Sequence, residues 1–505
     1  MTYAALEEHF RRLSRLEHLD AIASWDEAAM MPPGGGVARG AALATLKGMI
    51  HAEASAPRVG ELIAAAESDV GKLDGWQRAN LREMKRGFIR ATAVPSALVE
   101  AASLASSTSE QAWRKLRPNN DWQSFRPLLE EVVRLQREVA SALAGTLGLA
   151  PYDALLDGYE PGVKTEQIAP LFAELGRILP DLIGHAMERQ SSQPAILPEG
   201  PFPTESQRKI GLELMRRLGF DFEHGRLDTS HHPFCGGVPE DVRICTRYDE
   251  QDCLSALLAV LHETGHAKYE QHRPPAYLDQ PVGRARSMSI HESQSLLLEM
   301  QVCRGHEFAE FLAPFLSQAF PNAARVPANG GVSALSVENL SRVLLRVRPD
   351  FIRVEADEVT YPCHVVLRFE IERALIEGTL AVKDIPERWD EGMVRLLGLS
   401  TAGNFRNGCM QDVHWPAGLF GYFPTYTLGA LTAAQLFEAA RAAQPGLGAA
   451  IARGDLLGLD SWLDEHVWSR GSLLETGELV RAATGAPLGT GAFERHLRRR
   501  YLGEG

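Results

Sequence analysis

Two histidines four residues apart, with an acid beside the first, are the side chains here best placed to do chemistry: His262-Glu263-Thr264-Gly265-His266. On an α-helix, residues i and i+4 lie one turn apart on the same face. Both imidazoles can then grip one Zn²⁺ through bonds of roughly 2.0–2.1 Å. Glu263 projects beside the pair, where it can hold the water at the metal's open position and take its proton, the metal lowering that water's pKa to about 7. The competing view is two histidines that fall four apart by chance. The segment's apolar periodicity, with Leu254, Leu257, Leu258 and Leu261 on one face, argues against it. Gly265 weakens a helix interior by about 1 kcal/mol, so a close neighbour or backbone access near the metal is expected there.

A catalytic zinc takes three protein ligands, and three residues compete for the third place. His272 has the spacing of the extended HExxHxxGxxH motif, but the helix-breaking glycine is replaced by Tyr269. Without that break it sits about 15 Å along the axis from His262. Glu270 continues the same face, and one helix cannot wrap a metal from three sides. Glu292, in His291-Glu292-Ser293-Gln294, follows His262 by thirty residues and opens another helix, SIHESQSLLLEMQV. That is enough chain to loop back and pack antiparallel, so Glu292 is the preferred third ligand.

The elements that must position these residues read as helices. Leu6, Phe10, Leu13, Leu16, Leu19 and Ile22 recur at three- and four-residue steps over 3–23. The stretches 76–92, 95–116, 122–147 and 165–190 show the same pattern, and 251–272 carries the histidine pair. Breaks fall at MMPPGGG (30–36) and SSQPAILPEGPFP (191–203), after which Thr204-x-x-Gln207 has the form of a capping box. The segment 224–249 is rich in Gly and Pro, and VRICTRY alternates, which predicts a small hairpin just ahead of the metal helix. The expectation is a mainly α, single-domain protein over 1–505, with a helical N-terminal part to about 200, a catalytic part from about 201, and a small β hairpin or sheet near the active site.

Bulk properties narrow the functions further. A net charge of −13 disfavours nonspecific nucleic acid or anionic membrane as partners. The N-terminus MTYAALEEHFRRLSRLEHLD lacks a secretory apolar core, and no run approaches the ~18 apolar residues of a membrane span. Six cysteines without a CxxC pair read as buried thiols. Together these predict a cytoplasmic protein.

Several segments in order resemble the carboxypeptidase Taq family of metallocarboxypeptidases (M32): WDEAAMMPPGG (25–35), His232-Pro233-Phe234, DVRICTRY (241–248), HETGH (262–266), HESQ (291–294), IRVEADEVTY (352–361), GCMQDVHW (408–415) and GYFPTYTLG (421–429). The resemblance covers nearly the whole chain. It implies a helical subunit with a deep groove, usually a homodimer, holding one divalent metal. It also implies release of single residues from peptide C-termini with broad preference. On that pattern His262, His266 and Glu292 are ligands and Glu263 is the general base and acid. The family's DxRxT threonine falls at Cys245, which leaves the role of a hydroxyl there in doubt.

An exopeptidase must recognise a terminal carboxylate, and the planar fork of arginine suits it. Arg353 in IRVEADE is the first choice, with Arg348 and Arg243 in reserve; the bland alternative pairs Arg353 with Glu355 or Asp357. Oxyanion stabilisation needs a further donor, for which His414, Tyr422 and Tyr426 are candidates that the sequence does not separate. Asp412 and His232 are candidates for supporting or groove positions. Two rival readings stand beside a carboxypeptidase: a helical zinc endopeptidase or oligopeptidase, and an inactive peptide-binding scaffold. The same His/Glu donors accept Co²⁺ or Mn²⁺ as well as Zn²⁺.

Overall fold

Apolar residues at three- and four-residue steps become helices almost residue for residue. The computed structural model, which describes residues 2–325 and 331–504, begins with α1 (Thr2–Ala29), α2 (Gly36–Ala54), α3 (Pro57–Ser68), α4 (Gly75–Ala93), α5 (Ser96–Leu116) and α6 (Trp122–Leu147). It continues with α7 (Pro151–Leu156), α8 (Thr165–Ser191) and α9 (Thr204–Arg217). The Gly/Pro stretch at 30–36 is only a short break: its last glycine already opens α2, whose mixed pattern concealed a helix.

The capping box expected at Thr204 does not form. The helix starts one residue earlier than such a box requires, with Pro203 at the cap and no side-chain cap bond. The Gln207 amide instead donates to the carbonyls of Phe202 (2.7 Å) and Asp249 (2.8 Å), tying the helix to the chain entering the metal helix.

The segment ahead of that helix forms three strands rather than a lone hairpin. β2 (Phe234–Val238) and β3 (Asp241–Thr246) make the expected antiparallel pair, and β1 (Gly225–Thr229) adds to β3 in parallel, giving the order β1-β3-β2. Only Leu227 of β1 is buried, so that strand shows no alternation to read. Val242, Ile244 and Leu227 pack with Val260 and Ala267 of α10 (Cys253–Gln271).

Beyond α10 come α11 (Met288–Leu296), a π-helical turn at Leu297–Cys303, α12 (His306–Ala319), α13 (Val337–Leu344), α14 (Tyr361–Glu377), α15 (Ile385–Leu397) and α16 (Pro424–Ala443). The shorter α17 (Leu447–Ile451), α18 (Leu457–His466), α19 (Thr476–Thr484) and α20 (Gly491–Leu497) follow.

The largest core cluster joins Phe125, Leu129 and Phe172 from before residue 200 to Phe369, Trp389 and Phe420 from after it. A second cluster packs Leu254, Leu257 and Leu261 of α10 against Leu297, Phe308 and Leu436. Helix α16 contributes Leu428 and Leu431 to the first and Leu436 and Phe437 to the second. Burial of this apolar surface fixes α10 on two sides, against the second cluster and against the sheet. The remaining face, with His262, Glu263 and His266, looks into a groove of about 800 Å³.

Candidate metal centre

Helices α10 and α11 approach so closely that Gly265 admits no side chain. A Cβ there would lie 2.5 Å from the carbonyl oxygen of Gln294 and 2.6 Å from the Cα of Ser295. This is the packing reason for a glycine inside the metal helix. Pairings of residue 262 with 299, 266 with 292 and 270 with 291 run in opposite directions along the two segments, so they pack antiparallel.

That approach brings the three expected ligands together. Donor atoms of His262, His266 and Glu292 all lie within 4.8 Å of one another. Glu292 Oε2 stands 3.2 Å from His266 Nε2 and 3.9 Å from His262 Nε2. Tetrahedral ligation with bonds of roughly 2.0–2.1 Å places ligand atoms about 3.4 Å apart, so the triad fits a divalent cation. Glu292 is itself pressed by Gly429 of α16, where an added Cβ would lie 2.9 Å from the Glu292 side chain.

Outer partners settle which nitrogens face the centre. Glu299, in the π-helical turn, accepts from His262 Nδ1 at 3.0 Å and is held by Arg304 at 2.7 Å. Glu270 pairs with His291 Nε2 at 2.9 Å, and His291 Nδ1 stands 2.6 Å from His266 Nδ1. These outer contacts use the Nδ1 atom of each ligand imidazole and leave both Nε2 atoms facing the Glu292 carboxylate, the side a metal would take. Glu270, set aside as a ligand, thus acts one residue further out. His272 caps α10 with Nδ1 on the carbonyl of Lys268 and is not part of the triad.

The charges agree with this arrangement. Burial pushes the Glu263 carboxyl up to about 7, against the pull of His262. Burial would raise Glu292 too, but its bond to His266 and the charge of His262 hold it down at about 2. His266 is lowered to about 4 by burial, with His291 adding to the effect. Burial would also lower His262, yet the Glu299 bond and the nearby Glu292 and Glu263 raise it to about 10. Such a surplus of negative charge is what a bound cation neutralises.

Across the groove stand Arg353, Tyr361, Tyr422 and Tyr426. Arg353 is 4% exposed, and its partner is not the neighbouring Glu355 or Asp357 but Asp412. Its Nε and Nη2 donate to Asp412 Oδ1 at 3.1 and 2.8 Å, and Nη1 donates to Tyr361 Oη at 2.6 Å. The other Asp412 oxygen accepts from Arg368 Nε at 2.7 Å, so one carboxylate holds two guanidiniums. Tyr426 lies under Arg353 at 4.9 Å.

The remaining candidates divide by position. His414 does not line the groove; its Nε2 pairs with the Tyr426 hydroxyl at 3.2 Å, and burial lowers its pKa to about 4. Tyr422 and Tyr426 both line it, and after burial the charge raising Tyr422 most is Glu292. His232 is exposed and off the wall, although its neighbours Pro233 and Phe234 are on it. Arg243 pairs with Asp241 at 2.6 Å and stacks over Trp25 at 4.5 Å, and Arg348 is a surface residue paired with Asp350. Neither reserve arginine reaches the groove. Cys245 is buried in β3, and all six cysteines are free thiols. Sequence reasoning missed Glu299, His291, Arg304 and Tyr361. The one available signal was that Glu299 follows Glu292 by seven residues, two helical turns along the same face.

Comparison with known proteins places this geometry. A family model described as carboxypeptidase Taq (M32) metallopeptidase matches residues 5–501. Thermostable carboxypeptidase 1 of Thermus thermophilus is 38% identical, with 99% of this chain and 98% of that protein aligned. Carboxypeptidase 1 of Bacillus subtilis is 32% identical over 98% and 97% of the two chains. Among solved structures, Trypanosoma cruzi metallocarboxypeptidase 1 superposes with a TM-score of 0.95 at 43% identity, covering 99% of each chain. An M32 carboxypeptidase from Deinococcus radiodurans gives a TM-score of 0.92 at 34% identity, over 99% of this chain and 98% of that one.

Proposed function

Because this chain belongs to the carboxypeptidase Taq (M32) family of metallopeptidases, we propose that it removes single residues from peptide C-termini at the His262, His266 and Glu292 centre. The observation that carries this is the pairing of a three-donor site on one wall with a buried arginine on the other. When bound there, a divalent cation supplies Lewis acidity to the scissile carbonyl and to the attacking water.

The chain's own residues supply the rest. Glu263, at a pKa of about 7, is poised to take a proton from the attacking water and return it to the leaving amine. Arg353 keeps N–H groups beyond those given to Asp412 and Tyr361, and these receive the terminal carboxylate. Tyr422 is the proposed donor for the developing oxyanion, since it lines the groove where the Glu292 charge bears on it, whereas Tyr426 is engaged by His414 and supports Arg353. His232 and Arg243 have no part in substrate capture on this reading.

Zn²⁺ is the proposed ion, one per subunit, with Co²⁺ or Mn²⁺ accepted by the same donors. A homodimer in the cytoplasm is proposed on family resemblance, and six free thiols suit a reducing compartment. The whole chain is proposed as one peptidase unit, since its main core crosses residue 200. Among the described residues no single helix is long and apolar enough to cross a membrane.

The test compares a short peptide with a free C-terminus and the same peptide as a C-terminal amide. Chelator-treated enzyme should release no residue from the free acid and should recover on metal addition, and the amide should resist in every case. Internal cleavage of the amide at a comparable rate would favour an endopeptidase instead.

A further inference from the structure

A second cavity, of about 450 Å³, lies one layer of side chains away from the groove. Arginines dominate its lining: Arg189, Arg342, Arg346 and Arg500, with His306 and a single acid, Glu338. In a chain with a net charge of −13, four guanidiniums around one hollow are a local reversal of sign.

Their partners are few. Among the described residues neither Arg342 nor Arg346 meets a carboxylate or a hydrogen-bond acceptor through its side chain, and Glu338 engages neither. Arg189 reaches only the carbonyl of Tyr501, at 3.4 Å. His306 is occupied by Ser341 at 3.1 Å and Glu310 at 3.5 Å. Arg500 is committed: it donates to Glu358 at 3.2 Å, to the Gln301 carbonyl at 2.7 Å and to the Met300 carbonyl. Those last three residues line the catalytic groove. The wall of one cavity is therefore the wall of the other.

We propose that this cavity binds a small, multiply charged oxyanion of the phosphate or sulfate class, held by Arg189, Arg342 and Arg346 against Arg500. Arginine forks match tetrahedral oxyanions with two charge-assisted bonds each, and Arg342 and Arg346 have no existing partner to lose when the anion enters. Occupancy draws Arg500 away from Glu358, which keeps His496 and the Tyr501 hydroxyl, each at 2.8 Å. That leaves more negative charge facing the groove and weakens capture of a peptide carboxylate.

Sulfate is the probe, because it does not strip metals as polyphosphates do. Titration calorimetry on the metal-loaded enzyme, with chloride balancing ionic strength, should show saturable binding. In R342Q/R346Q the affinity should fall about tenfold or more, while peptidase activity without sulfate stays unchanged. Saturating sulfate should raise KM for a peptide by a few-fold in the parent and leave it unmoved in the double variant. Equal sulfate affinity in both proteins, or only a nonsaturating salt effect, would overturn the site; an unmoved KM in the parent would overturn the link to the groove. Phosphoserine beside inorganic phosphate distinguishes the source: tighter phosphoserine binding identifies an organic phosphate ester as occupant, and equal binding identifies the free ion. Because binding is read by heat, its failure is separable from any failure of the peptidase assignment.

Discussion

The two walls of the groove are built by different means. On the metal wall, every chemical side chain comes from two packed helical segments, α10 and α11 with its π-helical turn. Glu292 and Glu299 are held ionised by adjacent imidazoles and by Arg304, while burial pushes Glu263 up to about 7. On the facing wall, Arg353, Asp412 and Tyr422 come from turns and loops far apart in the chain, and Tyr361 and Tyr426 from the first turns of α14 and α16. They are gathered around one largely buried aspartate, Asp412, that bridges Arg353 and Arg368. A helix pair fixes positions through backbone contact, as at Gly265, whereas the facing wall depends on a single charge network. Damage should therefore show as lost turnover or lost metal on one side and as lost substrate affinity on the other.

Glu263→Gln is the sharpest way to test that division. It should lower kcat by roughly 10²–10⁴-fold, the usual contribution of a positioned general base, with metal content and KM little changed. A variant with full kcat would remove Glu263 from the chemistry. On the other wall, Arg353→Gln should act chiefly on KM, by about 10- to 100-fold, since a charge-assisted pair contributes roughly 1.5–3 kcal/mol. Its discrimination against an amidated peptide should shrink accordingly. An equal fall in kcat with unchanged KM would mean that Arg353 serves the transition state rather than the terminal carboxylate.

The outer partners sharpen the comparison within the metal wall. Glu299 offers His262 a carboxylate, and His291 offers His266 a ring nitrogen. Glu299→Gln should weaken metal binding by about 10- to 100-fold, read by competition with a chelator. His291→Phe should weaken it less, because it removes a hydrogen-bonding partner and no carboxylate. Equal losses would show that orientation alone matters.

How much of this was legible beforehand follows the same divide. The ligand triad could be read because two ligands share a helix turn and the third opens the next helix, so local periodicity nearly determines their meeting. The glycine at 265 announced a close neighbour before that neighbour could be named. By contrast, the partner of Arg353 stands 59 residues away at Asp412, and nearby Glu355 and Asp357 were the natural but mistaken guesses. The parallel β1 strand escaped notice because it buries only Leu227. His291 and Glu299 were passed over because a supporting role depends on which side of a neighbouring imidazole a group meets, and spacing does not encode that.

Glu372 gives the smallest and most specific test of the contrast. Behind the facing wall it accepts from the Tyr152 hydroxyl at 2.5 Å and from Trp415 Nε1 at 3.1 Å. No cation bonds it directly, and burial pushes its carboxyl up to about 8. At Glu292 on the metal wall, burial is overcome and the carboxyl stays at about 2. A carboxyl raised above its unfolded value of about 4.3 favours folding most at low pH, and that contribution is lost as pH rises through about 8. Glutamine cannot ionise, so Glu372→Gln should gain stability relative to the parent between pH 5 and pH 9, by up to about a few kcal/mol. Urea unfolding of both proteins at the two pH values measures this. A difference that stayed flat with pH would mean the Tyr152 and Trp415 donors keep Glu372 ionised, as the imidazoles keep Glu292.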